Sequence, residues 1–285
     1  MLTNELTRPR RPLLAVWRDY YTLTKPRVVQ LLVFTAIVGM FLATPGFVPW
    51  DVLIFGSLGI GLAAASGAVI NHVLDQRIDE KMTRTRERPL PTGRVNKRDA
   101  FTFAMVLGVI GLGVLALLVN ALTAILTFGS LIGYAVIYTV YLKRSTPQNI
   151  VIGGAAGAAP PLLGWAAVTN EVSGYALLLF LIIFTWTPPH FWALAIARKD
   201  DYEQAGVPML PVTHGIEMTK SFVLGYTVLL VIVSVLPYLT GMSGMLYLLG
   251  AILLGGGFLY YAIRLKLGEH DDVAMKTFAY SITYL

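Results

Sequence analysis

The chain has 285 residues, of which 56% are hydrophobic and 13% charged, with a net charge of +6 and no cysteine. Soluble domains carry roughly a quarter charged residues, so this composition excludes an ordinary soluble domain and points to the bilayer. The lack of cysteine excludes disulfides, thiolate metal sites and covalent c-type haem attachment, and the positive charge fits attraction to anionic lipid better than to nucleic acid.

About 20 apolar residues suffice for one crossing, and runs of that size recur along the chain. Residues 1–26 read as a cytoplasmic tail with basic Arg8, Arg10 and Arg11 and no cleavable signal pattern. The pattern then predicts helices at roughly 27–44, 52–76, 100–119, 122–142, 149–168, 175–198, 219–240 and 243–266. A ninth candidate runs from Val273 to Leu285. Its roughly 13 residues give about 20 Å of helix, so either this segment has been shortened or it packs partway. The expected fold is an all-α membrane protein, with residues 27–285 forming one transmembrane domain.

The charges follow the same map. All 22 Lys and Arg residues fall in the tail, in the loops after the second, fourth, sixth and eighth helices, or at the helix ends flanking them. The positive-inside rule puts those regions in the cytoplasm. The absence of a transit-like presequence favours a bacterial plasma membrane over the mitochondrial inner membrane. The two longest loops, about 24 and 20 residues, follow the second and sixth helices, and loops this long are usually functional or disordered. Their placement suggests two similar four-helix halves.

The second helix ends in Asn71-His-Val-Leu-Asp75-Gln-Arg-Ile-Asp79. At 100° per residue these three positions drift about 40° and rise about 6 Å per step, making one stripe. Two carboxylates one turn apart repel unless a cation lies between them. Mg²⁺ prefers oxygen ligands and shares one or two carboxylates with a substrate phosphate. The plainer reading is a solvated helix end with Asp79 paired to Lys81 or Arg77. It fits Asn71 poorly, because polar groups inside a membrane are costly and usually line cavities. Arg84, Arg86 and Arg88 follow, before an Arg-Pro-Leu-Pro-Thr-Gly turn. Guanidinium groups match diphosphate oxygens bidentately, although each arginine taken singly also reads as topogenic.

The fourth helix ends at Tyr138 and Lys143, either phosphate contacts at the same rim or an aromatic belt with snorkelling cations. The small residues from Gly153 to Pro161 permit close helix packing or leave room for a bulky ligand. The sixth helix carries Thr187-Pro-Pro-His190-Phe-Trp and leads to Asp200-Asp201. His190 and Asp201 share a face, with His190 about 16 Å deeper. Such a histidine can ligand an iron, bond a substrate or satisfy a carbonyl freed by Pro188 and Pro189. His214 and His270 read as surface residues.

With these motifs the chain resembles the UbiA superfamily of intramembrane prenyltransferases, whose first acidic motif has the form N-x-x-x-D-x-x-x-D. Within it the chain is similar to the haem-farnesylating branch. The matches are residues 71–93, 138–149, 153–165 and 187–212, together with Thr24-Lys25-Pro26-Arg27, and they span most of the sequence. The resemblance implies a UbiA-like bundle of nine transmembrane helices, the ninth incomplete here, around a cavity capped on the cytoplasmic side. It implies farnesyl diphosphate as donor, haem B as acceptor and Mg²⁺ as cofactor, with haem A synthase as a candidate partner. By resemblance, Asn71, Asp75 and Asp79 form the first metal–diphosphate site. The second motif of many members, D-x-x-x-D, is reduced here to Asp200-Asp201, since Ile196 and Ala197 stand four residues earlier.

The implied reaction gives Asp75, Asp79, Asn71, Asp200 and Asp201 catalytic roles, with Asp75, Asp79, Asn71 and Asp201 as metal ligands. Arg84, Arg88, Tyr138, Lys143 and Asn149 contact the diphosphate. His190, with His72 behind it, contacts haem. Tyr138, Phe191 or Trp192 present aromatic faces to a farnesyl cation. Two rivals stand beside this reading: a prenyltransferase of a quinone precursor or chlorin, and a transporter or haem-binding membrane protein, in which broken helices also occur.

Overall fold

The computed structural model describes residues 12–142, 145–268 and 271–285, and among these it is helical with no strand. The helices are α1 (Leu13–Leu23), α2 (Pro26–Leu42), α3 (Trp50–Asp79), α4 (Lys97–Leu118) and α5 (Ala121–Ile132). A π-helical segment, Gly133–Leu142, continues α5 without a break. Then come α6 (Asn149–Thr169), α7 (Gly174–Ala197), α8 (Lys199–Gln204), α9 (Leu210–Thr213), α10 (Ile216–Leu239), α11 (Met245–Leu267) and α12 (Asp271–Tyr284).

Among the described residues, seven helices are long and apolar enough to cross a membrane. The pair α1–α2, bent by 52°, makes an eighth if counted as one span. All eight expected helices are present, with ends shifted by a few residues. Three helices are additional: α8 and α9 lie in the expected loop after the sixth helix, and α1 lies inside the expected tail. Its exposed Leu13, Leu14 and Trp17 beside Arg18 and the buried Asp19 give it the mixed face of an interfacial helix. The short last segment is α12, 14 residues long. Arg8, Arg10, Arg11, Lys143 and His270 lie outside the described residues.

Local chemistry sets the boundaries. Asn96, Asn120 and Ser173 each accept a hydrogen bond from a first-turn N–H of α4, α5 and α7, which satisfies donors that no helical carbonyl can reach. Pro26 occupies the first turn of α2, where its missing N–H costs nothing.

Packing divides the spans into inner and outer sets. The most apolar stretches of α3, α6 and α7 are half buried or more, whereas those of α4, α11 and the α5–π span are about one-fifth buried. The inner helices are rich in small residues because backbones must come close. A Cβ on Gly164 would lie 1.9 Å from the carbonyl oxygen of Ala36, and one on Gly39 would lie 2.1 Å from that of Pro161. So α2 and α6 touch backbone to backbone. The small residues of α6 also leave space: Gly157 has nothing within 4 Å of a built Cβ and faces the central cavity.

Gly164→Val is expected to push α2 off α6 and lower the thermal unfolding midpoint in detergent. The cost should be at least the ~1–3 kcal/mol of an overpacked core. Gly113→Ala, at a position with nothing nearby, should leave the midpoint unchanged or slightly raised.

Candidate functional site

One cavity of about 850 Å³ occupies the centre, lined from α2, α3, the segment after α3, α5 and its π-helical continuation, α6, α7, α8 with the segment after it, and α12. Ligand pockets generally hold ~300–1,000 Å³. Its wall changes character along its length. Lys25, Asn71, Asp75, Asp79, Arg84 and Arg88 contribute charge and amide groups, while Trp186, Phe191, Phe278 and Ile282 make an apolar, aromatic region.

The charged region is organised by the end of α3. Asn71, Asp75 and Asp79 are 5%, 2% and 4% exposed, and all three line the cavity. Asn71 Nδ2 donates to Asp75 Oδ2 at 2.8 Å and to Thr139 Oγ1 at 3.3 Å. Lys25 Nζ donates to Asn71 Oδ1 at 2.6 Å. Asp79 pairs with neither Lys81 nor Arg77. Its Oδ2 accepts from Arg88 Nη1 at 2.7 Å, and Thr85 Oγ1 donates to its backbone oxygen at 3.0 Å. Residues 80–96 thus fold back over the helix end, and this brings Arg84 and Arg88 to the wall while Arg86 stays exposed.

Lys25 has no site role in the motif-based reading, yet it is held in the left-handed region at φ 50° and ψ 59°. A non-glycine residue there costs about 1–3 kcal/mol, so its contact with Asn71 is enforced by the surrounding structure. The signal in the sequence was the Lys25-Pro26 pair, because a proline drives the residue before it out of the ordinary helical region.

The π-helix supplies the facing wall. Tyr134 and Tyr138 stack at 5.7 Å with rings 13° from parallel, and both line the cavity. A Cβ on Gly153 would sit 2.2 Å from the Tyr138 ring, so that glycine is what seats the tyrosine. On α7, His190 does not satisfy a carbonyl freed by Pro188 and Pro189. Its Nδ1 lies 2.6 Å from Ser281 Oγ on α12, and its ring is stacked between Trp186 at 4.2 Å and Phe278 at 4.6 Å.

Several expected site residues fall elsewhere. His72 is buried, with Nδ1 3.7 Å from Asp79 Oδ2, but it is not a wall residue: it stands 100° round the helix from Asn71. Asn149 is fully buried at the start of α6 and does not line the cavity. Trp192 is fully buried against Phe222 and Tyr226, so Trp186 is the tryptophan that faces the cavity. Asp200 is exposed and Asp201 half-buried, and neither lines the cavity. Their neighbour Tyr202 does. Burial pushes the Tyr202 phenol above its ordinary pKa, Arg84 and Arg198 pull it down and Asp201 pushes it up. Asp201 and Arg84 are therefore close enough to act on one group beside the cavity.

Among the described residues no three His, Asp or Glu side chains gather closely enough to hold an ion by themselves. The donor set is two carboxylates and an amide oxygen, buried together on one wall. That suits a hard cation which takes one or two carboxylates and fills the remaining positions with phosphate oxygens and water.

Residues 32–283 match the model of the UbiA prenyltransferase family. The chain is 64% identical over 269 residues to the protoheme IX farnesyltransferase of Alkalilimnicola ehrlichii, covering 94% of this chain and 89% of that protein. It is 61% identical to that of Marinobacter nauticus over the same shares. With that of Methylococcus capsulatus it is 59% identical over 100% of this chain and 95% of the relative. Among solved structures, a digeranylgeranylglyceryl phosphate synthase superposes with a TM-score of 0.79 at 21% identity, covering 95% and 94% of the two chains. A UbiA homologue from Archaeoglobus fulgidus bound to DMAPP and Mg²⁺ superposes with a TM-score of 0.71 at 17% identity, covering 93% and 98%. At these identities the two structures share the fold.

Arg88→Ala should leave Asp79 buried without its guanidinium and destabilise the protein by about 1–3 kcal/mol. Arg86→Ala removes only an exposed contact with Glu87 and should stay within ~0.5 kcal/mol of the parent. Parallel thermal unfolding in detergent checks both.

Proposed function

The chain belongs to the UbiA prenyltransferase family, and from that premise we propose that it transfers farnesyl from farnesyl diphosphate to a vinyl group of haem B, giving haem O. The observation that carries this reading is the continuity of one cavity wall from the Asn71–Asp75–Asp79 stripe to the ring cluster around His190. A charged diphosphate, an apolar chain and a flat acceptor each find a matching stretch. Identity of about 60% to proteins of that activity supports the choice of acceptor.

In this reading Asp75 and Asp79, with Asn71, hold Mg²⁺, which when bound supplies positive charge to the leaving diphosphate. Asp201, with Asp200 beside it, adds carboxylate at the rim. Arg84 and Arg88 grip the diphosphate oxygens bidentately, and Lys25 and Tyr138 complete that end. The C1–O bond of farnesyl breaks, and its electron pair leaves with diphosphate. The aromatic faces of Tyr134, Tyr138, Trp186 and Phe191 stabilise the allylic cation that develops, and the apolar wall keeps water away. The vinyl group donates its electron pair to C1. Water then adds to the carbocation beside the porphyrin and loses a proton. No strong base and no covalent enzyme intermediate is required.

The protein is a multi-pass membrane protein. The segregation of Lys and Arg supports a bacterial plasma membrane with the acidic end of the cavity cytoplasmic, and residues 27–285 as one prenyltransferase domain behind the tail.

Purified protein incubated with haem B, farnesyl diphosphate and Mg²⁺ should yield the hydroxyfarnesylethyl adduct by mass spectrometry, and chelation should stop it. Asp75→Asn and Asp79→Asn should each lower turnover by about 10²-fold or more, some 2.7 kcal/mol of barrier. Near-normal turnover in both would remove the metal role, and preference for a quinone precursor or chlorin in an acceptor screen would remove haem.

A further inference from the structure

Ser281 lies in α12, fully buried. Its hydroxyl makes two close contacts: Oγ is 2.6 Å from the backbone oxygen of Phe278 and 2.6 Å from His190 Nδ1. A serine has one proton to donate. The Phe278 carbonyl is an acceptor only, so the proton must lie on that line, since two bare oxygens at this distance would repel. Ser281 Oγ is then the acceptor for His190, and Nδ1 carries the hydrogen. A neutral imidazole has one N–H, which leaves Nε2 with its lone pair. Nε2 has no hydrogen-bond partner among the described residues, and His190 is a cavity-lining residue. Trp186 and Phe278 clamp the ring from its two sides, so it cannot turn over to exchange its nitrogens. Trp186 Nε1 also donates to the Ser281 backbone oxygen at 2.8 Å, which holds α12 in register with α7.

We propose that Ser281 is a positioning residue which fixes His190 as the Nδ1–H tautomer, so that Nε2 presents its lone pair to the iron of the tetrapyrrole acceptor. Metal-ligating histidines nearly always donate their other ring N–H to a fixed partner, and loss of that partner weakens metal binding. The iron half rests on the reading of haem B as acceptor; the tautomer half does not.

The test uses the full chain in detergent with ¹⁵N-labelled histidine and no substrate, with His190 assigned by its loss in His190→Gln. The parent should show Nδ1–H with a bare Nε2. Ser281→Ala should give Nε2–H or a mixture, and Ser281→Thr should restore the parent form. Nε2–H in the parent, or an unchanged tautomer in Ser281→Ala, overturns the proposal. Titration with ferric haem B, followed by absorbance, then tests the iron. A nitrogen-ligated band should appear in the parent, vanish in His190→Gln and require about tenfold more haem in Ser281→Ala. A band that persists in His190→Gln overturns the iron ligation. Failure to form a farnesylated product while both spectra behave as expected would count against the proposed reaction alone.

Discussion

Two carboxylates and an amide are buried at the end of α3, and the rest of the site follows from the cost of putting them there. An isolated charge in an apolar interior is far costlier than an unpaired neutral group, so the stripe as a unit must be met by partners from other parts of the chain. Lys25 comes from the bend between α1 and α2. Thr139 comes from the π-helix. Arg88 comes from the segment that folds back after α3. These elements share no sequence neighbourhood, yet all converge on one helix end. That segment is itself anchored: Leu90 and Val95 are buried, and Arg94 Nη2 donates to the Glu87 backbone oxygen at 2.6 Å and approaches Asp19 of α1 at 3.5 Å. The cationic partners of the stripe are also groups suited to phosphate oxygens. The same residues that stabilise the buried carboxylates are therefore placed to share an incoming polyanion.

The remainder of the cavity wall exists because α2 and α6 pack through their backbones. Close approach at Gly39 and Gly164 leaves no side chains between the two helices. Among the adjacent small residues of α6, Gly157 borders open space instead, while Gly153 and Gly154 make room for the side chains of Tyr138 and Thr187 beside it. One run of small residues thus serves both uses considered from the sequence: contact on one face and room on the other.

The spans and their ends were legible because they depend on local quantities, namely hydropathy, capping side chains and the distribution of Lys and Arg. The stripe was legible because its members share one helix, where spacing converts directly to geometry. What the sequence hid is set by long-range contact. Arg84 and Arg88 reach the wall and Arg86 does not, a distinction made by the path of the returning segment. Trp192 and Trp186 differ by six residues on α7, and only tertiary packing decides that Trp192 meets Phe222 while Trp186 meets the cavity. Asp201 shares a helical face with His190 only if the helix is continuous. It breaks at Arg198 before α8 begins, so the inferred common face ends there.

The short α12 shows how a segment below spanning length can still build a wall. Two of its polar residues, Thr277 and Ser281, are fully buried and turned toward neighbouring helices. Thr277 Oγ1 is 3.4 Å from the Tyr261 backbone oxygen on α11, and Tyr284 bonds Ser234 on α10. Interhelical hydrogen bonds of this kind are worth about 0.6 kcal/mol each on average, so several are needed to hold a helix this short. Phe278, Ile282 and Leu285 are thereby directed to the cavity. Ser281 belongs to both systems, since its backbone oxygen accepts from Trp186 and its hydroxyl from His190. The orientation of the His190 ring is therefore tied to the seating of α12, and anything that shifts this helix changes the wall and the histidine together.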